Sequence, residues 1–453
     1  MLLCEEGRAT VDDPIGKYLS QLHPTSHSVT MRQLMGHVGG LCDAHMIKWQ
    51  FSGIEQKVTS AQILSFYHDV DEVQFPPTTA YSYSNGGYLL LTSAIEEIAG
   101  CGLEDVLRKR VFEPVGMHDT LLRRYDDGFV ANSATTHRMT AAGCFARSND
   151  MGAWAGEGGA VSTIDDMLRW LAHFDRPAIG NAETWSLIKS QQRLANGTLT
   201  GYGCGLQQGR YRGIEVLYHG GGGQGANALM LKVPSVGLDV IVITNRDDVS
   251  STSLTAEILD TCLSGLEPPV TAFPGPIANG VFRSPTTGRI LQLYAEGEKQ
   301  IAFSGGVVSQ FQRASDRWIW QTDPFQKNKL GIMLLNDQEN PSKIRIEDYG
   351  NTDELIRVAP EQQPCRWEIA GVYRSLTTGT DALIIDDAGI MRLKFTGRFG
   401  PNDYALEHLA GGIWRTKLHR TASWLGGILS FDSVGDFEYM NQSIRSLKFR
   451  RVS

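Results

Sequence analysis

The sequence predicts a mixed α/β (α+β) domain, an antiparallel sheet with a helical subdomain, followed by two small antiparallel β-barrels. Three observations point there. Up to about Leu266, helical and strand periodicities alternate. At Glu267-Pro268-Pro269 the composition shifts to short β-rich runs separated by turn signals. Within that second part a motif recurs: Gly280-Val281-Phe282-Arg283-Ser284 with Thr286-Thr287-Gly288 returns as Gly371-Val372-Tyr373-Arg374-Ser375 with Thr377-Thr378-Gly379. Two copies of one strand-and-turn unit imply two barrels of similar size. The expected domains are 1–266, 270–360 and 365–453, with Pro360 to Pro364 as the linker between the barrels.

Within the first domain, Leu89 to Ala99 has apolar residues at helical spacing and stops at Gly100. Leu103 to Val111 and Ile164 to Phe174 read the same way. Thr163 ahead of Asp165 and Asp166 suits a helix start, where a side-chain oxygen and negative charge meet unpaired N–H groups. Ile214 to Tyr218, Ala226 to Val233 and Leu238 to Thr244 read as strands, the last two joined by a turn at Pro234-Ser235-Val236-Gly237, and Ser250 to Leu263 reads as a closing helix.

Bulk composition excludes several function classes. The 453 residues exceed one ordinary core, and 42% hydrophobic with 20% charged residues is usual for a globular protein. A net charge of −8 weighs against nucleic acid as a partner. Seven scattered cysteines, never spaced C-x-x-C, outline no zinc site or disulfide framework and point to a reducing, cytoplasmic setting. No apolar run approaches the roughly 20 residues of a membrane span. Met1-Leu2-Leu3 runs straight into Cys4-Glu5-Glu6-Gly7, which is no signal peptide; a leader further upstream is a separate matter. No metal or cofactor is implied: there is no H-E-x-x-H, and His23 and His27 flank Pro24 in a loop.

Two triplets carry the candidate chemistry, Tyr83-Ser84-Asn85 (Y-x-N) and His219-Gly220-Gly221 (H-x-G). The sequence supplies its own controls, because Tyr349-Gly350-Asn351 and His37-Val38-Gly39 match the same patterns. Context distinguishes the candidates. Asn85-Gly86-Gly87 opens a helix, so a phenol at Tyr83 can reach a cleft from a loop held by that helix. His219 ends an apolar strand and precedes four glycines, which weaken a strand but let a ligand approach bare backbone.

Residues 1 to about 265 resemble the serine β-lactamase and penicillin-binding-protein superfamily. The matching stretches, in the family's order, are Glu5-Glu6-Gly7 with Asp12-Asp13-Pro14 and Tyr18-Leu19; Thr30 to His37 with Gly40-Leu41; Tyr81 to Tyr88; Val111 to Met117 with Asp119-Thr120; Gly158 to Thr163 with Asp166; and His219-Gly220-Gly221. A histidine in the H-x-G, where many relatives have lysine, and two appended barrels resemble the D-aminopeptidase branch. That resemblance implies a β-lactamase-like fold and an acyl-enzyme route on a small peptide or amide, without cofactor, metal, nucleic acid or membrane, and is compatible with a homodimer. It assigns Tyr83 as general base and acid, Asn85 as the group orienting the lysine and substrate amide, and His219 as the group positioning substrate or leaving group. It places the strand donor of the oxyanion hole at Gly221-Gly222, through the Gly222 N–H. Recognition of a free α-ammonium group would fall to a barrel loop, with Gly411-Gly412 and nearby Asp403 as candidates. Esterase, β-lactamase, carboxypeptidase and non-catalytic binding roles share the same motifs.

One departure stands out. The family's nucleophile lies in an S-x-x-K just ahead of the Glu-Glu-Gly stretch, and here that stretch begins at Glu5. The S-x-x-K that is present, Ser186-Leu187-Ile188-Lys189, falls in the wrong place in the order, and Lys189 reads as a solvated helical charge. The resemblance therefore implies a chain truncated before its serine and lysine, and inactive in this form.

Overall fold

The computed structural model describes residues 1–54, 56–140, 142–148, 152–223, 225–275, 277–305, 307–325, 330–360, 368–417 and 426–452. It has a β-lactamase-like part of helices and sheets followed by two closed eight-stranded antiparallel barrels. Most of the expected inter-barrel linker, 361–364, lies outside the described residues.

Four helices organise the first part. In α1 (Ala44–Ser52) every residue is buried, including His45, Lys48 and Gln50, so this helix has no solvent face and something must cover each side of it. Helix α2 (Asn85–Ala99) starts where Ser84 Oγ accepts the Gly87 N–H and ends at Gly100, whose φ of +74° is left-handed. Helices α3 (Ile164–His173) and α4 (Ser251–Cys262) start at Thr163 and Ser250, each hydroxyl accepting an N–H three residues on.

The sheet runs β1 (Gln207–Tyr211), β2 (Ile214–Gly223), β3 (Ala226–Val233), β4 (Leu238–Thr244), all antiparallel in that order. One face packs Tyr218, Leu229, Leu231 and Val240 against Leu259 of α4; the other sets Met230 and Ile241 against Leu171 and Phe174. Strand β2 differs from the sequence expectation. It does not stop at Tyr218 but continues through the glycine run, because β3 pairs with it as far as Gly223↔Ala226. Strand β1 stops pairing at Gln207↔Tyr218, so residues 219–223 have a strand neighbour on one side only among the described residues.

The first barrel comprises β5 (Gly280–Arg283), β6 (Ile290–Glu296), β7 (Lys299–Ser304), β8 (Val307–Arg313), β9 (Trp318–Gln321), β10 (Leu330–Leu334), β11 (Lys343–Asp348) and β12 (Asn351–Arg357), closed by β12 on β5. The second comprises β13 (Gly371–Arg374), β14 (Asp381–Asp387), β15 (Ile390–Gly397), β16 (Gly400–Ala410), β17 (Ile413–Lys417), β18 (Ile428–Phe431), β19 (Phe437–Met440) and β20 (Leu447–Arg451), closed by β13 on β20. The sequence repeat occupies the first strand and turn of each barrel. Its aromatic position, Phe282 or Tyr373, is fully buried in both, as is its serine, Ser284 or Ser375.

Both barrels are joined to the sheet-and-helix part through side chains that cross between them. The C-terminal end of α1 enters the second barrel: Phe51 packs on Phe395 (4.6 Å), Tyr439 (5.4 Å) and Phe449 (5.8 Å). Asn402 donates to the Trp49 and Gln50 carbonyls, Tyr404 to the Gln50 carbonyl and Tyr439 to Gln50 Oε1. The bonds from Asn402 and the Tyr404 bond to the Gln50 carbonyl satisfy backbone carbonyls that a helix end leaves unpaired. One continuous core results, running from Ile15 and Leu89 to Phe449. The first barrel instead inserts Phe325, which joins the sheet core beside Tyr211 and Tyr218. Its carbonyl accepts the Arg210 N–H, and a Cβ on Gly209 would lie 2.0 Å from that carbonyl oxygen, so the approach requires glycine.

Because Phe51 fills the junction between α1 and the barrel, Phe51→Ala is expected to cost about 3–5 kcal/mol. A urea titration followed by tryptophan fluorescence checks this, and a midpoint unchanged from wild type would refute the shared core.

Candidate active site

The turn carrying Tyr83 is held from two sides. Asp43, 1% exposed, caps α1 by accepting the His45 and Met46 N–H groups, and its carboxylate also accepts those of Asn85 (2.9 Å) and Gly86 (3.3 Å). One carboxylate thus faces the N-termini of α1 and α2 together, where both helix dipoles favour negative charge. Burial nevertheless pushes the Asp43 pKa up against the pull of those donors.

His37 holds the turn from the other side. Its carbonyl accepts the Ser82 N–H (3.0 Å) and its Nδ1 accepts that of Ser84 (3.1 Å), while its ring centre lies 4.2 Å from that of Tyr83. Its φ of +57° is unusual for a residue with a side chain, a strain typical of functional sites. With Nδ1 accepting, the neutral ring carries its proton on Nε2, which is buried without a hydrogen-bond partner among the described residues. Burial, then the nearness of His219, pulls the His37 pKa from 6.5 down to about 3.

Tyr83 is 40% exposed, and its hydroxyl has no partner among the described residues. The protein packed around it, and then the Asp43 carboxylate, push its pKa up to about 12. No cation among the described residues offsets this, so the phenol keeps its proton at neutral pH. Asn85 is the first residue of α2, beside it.

On β2, His219 uses both ring nitrogens within the protein. Nδ1 lies 2.7 Å from the Gly220 carbonyl oxygen and Nε2 lies 3.0 Å from the Tyr202 hydroxyl. Burial lowers the His219 pKa. Tyr202, 2% exposed, places its ring 6.0 Å from His219, 4.7 Å from His37 and 6.3 Å from Tyr83. Tyr83 and His219 are therefore on one face of the first part, linked through Tyr202 and His37. Beyond His219 the backbone is bare. A Cβ on Gly220, Gly221 or Gly222 would meet its nearest neighbour at an ordinary 3.5–3.9 Å, and none of the three has a positive φ. The fold does not demand glycine there. Alternate N–H and C=O groups of the 219–223 segment face away from β3, with no strand opposite them among the described residues.

A profile of the beta-lactamase family matches residues 1–263, more than half of the sequence. The chain belongs to the beta-lactamase family. Among curated proteins it is similar to the D-aminopeptidases of Brucella melitensis and Brucella anthropi, each 24% identical; the matches cover 91% of this chain and 77% or 76% of those proteins. Among solved structures it is similar in fold to the octameric penicillin-binding protein homologue from Pyrococcus abyssi (TM-score 0.53, 18% identity, 79% of this chain and 84% of that one). A D-stereospecific amidohydrolase from Streptomyces sp. is also similar (TM-score 0.50, 20% identity, 57% and 81%).

For this beta-lactamase family chain, tertiary structure also revises several expectations. Lys189 is half-buried: it donates to the Phe174 carbonyl and lies over the Trp185 ring, while Ser186 is exposed on the same helix. Asp403 is paired with Arg392, and the Gly411 turn faces Val358 and the first barrel. The two control triplets both lie at or beside the site. His37 holds the Tyr83 turn, and Tyr349, at the β11–β12 turn, packs 5.0 Å from Tyr81, which neighbours Tyr202. Asp43 and Tyr202 belong to no motif read from the sequence. The signal for His37 was its place at the end of the matched Thr30–His37 stretch; Tyr202 gave none.

His37 also predicts acid sensitivity. Its folded pKa lies below the unfolded 6.5, so the stability it confers is intact above that value and is lost as pH falls from about 6.5 towards about 3. Its share of the loss by pH 5 is about 2 kcal/mol. Urea midpoints compared between neutral pH and pH 5 should fall less in His37→Gln than in wild type; equal falls would contradict the assignment.

Proposed function

We propose that this chain supplies the substrate-binding and proton-transfer side of a serine hydrolase that releases N-terminal D-amino acids from short peptides or amides through an acyl-enzyme. The observation that carries this reading is the linkage of Tyr83 to His219 through Tyr202 and His37, with the bare glycine edge of β2 continuing from His219. The substrate class is supported by the D-aminopeptidase relatives, whose matches extend over 91% of the chain.

In this reading a serine Oγ bonds to the substrate carbonyl carbon and its proton passes to Tyr83. The C–N bond then breaks, and Tyr83 returns that proton to the departing amine. Water cleaves the resulting ester, releasing the D-amino acid and restoring the serine. The developing oxyanion would be met by a backbone N–H at Gly221-Gly222, a contact of a kind worth about 2.7–4 kcal/mol. Asn85 would orient the substrate amide. Because Asp43 and its surroundings hold the Tyr83 phenol protonated, the reading needs a cation beside it, the lysine of an S-x-x-K. Ser186 and Lys189 do not provide that pair, so the 453 residues alone are expected to bind a D-amino acid amide without turning it over.

The test uses two proteins, the 453-residue chain and a form starting at an upstream in-frame S-x-x-K. The longer form is expected to hydrolyse D-alaninamide far faster than L-alaninamide, with Tyr83→Phe lowering kcat by about 10²–10⁴-fold. Ester hydrolysis with no turnover of any D-amino acid amide would overturn the substrate assignment. Turnover by the 453-residue chain itself would overturn the account of the nucleophile.

A further inference from the structure

The two hydrogen bonds of His219 decide its tautomer. A carbonyl oxygen only accepts, so at 2.7 Å from Gly220 O the Nδ1 atom must carry a proton. Burial favours the neutral ring, which leaves Nε2 with a lone pair. The Tyr202 hydroxyl, 3.0 Å away, is the donor to it. Tyr202 is a firm donor, since its own surroundings disfavour the phenolate strongly. Its neighbour Tyr88 sends its own hydroxyl proton to the Met35 carbonyl at 2.9 Å, so the Tyr88 oxygen is a second acceptor that competes with His219 Nε2 for the Tyr202 proton.

We propose that Tyr202 is a positioning residue. It holds His219 as a neutral imidazole with its proton on Nδ1 and both nitrogens engaged inside the protein. His219 then meets a substrate as a fixed ring wall and neither gives nor takes a proton. Proton transfer to the leaving amine is left to Tyr83, whose hydroxyl is uncommitted among the described residues. Through its ring, Tyr202 also sets the spacing of the two sides, touching His37 behind the Tyr83 turn and His219 on the strand. The catalytic consequence rests on the hydrolase reading; the tautomer and the bond do not.

The bond is tested on the 453-residue chain, without reference to activity. Histidine side-chain ¹⁵N shifts are measured at about pH 8, where a free imidazole is neutral, and His219 is assigned by loss of its signals in His219→Asn. The expected result is a protonated Nδ1 and a hydrogen-bonded, unprotonated Nε2. In Tyr202→Phe the Nε2 signal should move to the position of a bare lone pair while Nδ1 stays protonated. A proton on Nε2 in the wild type, or an Nε2 shift identical in Tyr202→Phe, would overturn the proposal. In a form that carries an S-x-x-K and turns over the amide, Tyr202→Phe should lower kcat on the order of 10²-fold, the scale of an ångström's misplacement, and adding it to His219→Ala should lower kcat no further. Independent, multiplicative losses would overturn the positioning role. If the NMR result holds and no amide is hydrolysed, the hydrolase reading fails and the dyad stands.

Discussion

The buried carboxylate of Asp43 is the constraint on which the rest of the arrangement depends. It accepts N–H groups from the first turns of two helices, α1 and α2, so their positions are fixed relative to one another by a single side chain. Removing a buried acceptor leaves its donors unsatisfied, at a cost of about 1–3 kcal/mol or more each. Helix α1 runs from that point into the second barrel; α2 starts at Asn85, two residues after Tyr83. The same group that anchors the fold therefore sets the electrostatics of the site, since its charge contributes to the high pKa of Tyr83.

The barrels do more than follow the first part along the chain. The second provides the cavity that receives Phe51 and the donors that complete the end of α1. The first sends Phe325 into the sheet core and brings the Tyr349 turn against Tyr81, with Asn351 donating to the Thr79 carbonyl. Each contact bears on an element that carries the site: α1 through Asp43, β1 and β2 through Gly209 and Tyr218, and the Tyr83 turn through Tyr81 and Thr79. Such interlocking makes the barrels part of the scaffold that positions the chemistry, as rigid supporting elements must.

At the centre of the site lies a cluster of aromatic side chains. The His37 ring lies against those of Tyr81, Tyr83, Tyr88 and Tyr202, and Tyr202 lies against Tyr81 and Tyr83, with ring centres 4.2–6.3 Å apart. Burial in such a cluster disfavours charge on every member, which raises the tyrosine pKa values and lowers that of His37. A cation entering beside Tyr83 would thus change the state of this group more than it would in a solvated cleft, because the attraction acts in a medium of low dielectric.

The sequence by itself determined the class of the fold, the repeat that becomes two barrels, the helix starts at Thr163 and Ser250, and the Tyr83 and His219 motifs. These are local: side-chain periodicity, capping oxygens and short ordered motifs are written within a few residues of where they act. It did not determine that β2 runs on through the glycines, since that depends on pairing with β3. Nor did it determine what His37 does, because the role of His37 lies in bonds to residues more than forty positions away. The partnership of Tyr202 with His219 and the entry of α1 into the second barrel were decided only by tertiary structure. In both, a short hydrogen bond or a ring contact joins segments whose sequences show no sign of each other, and proximity in space has no counterpart in local pattern.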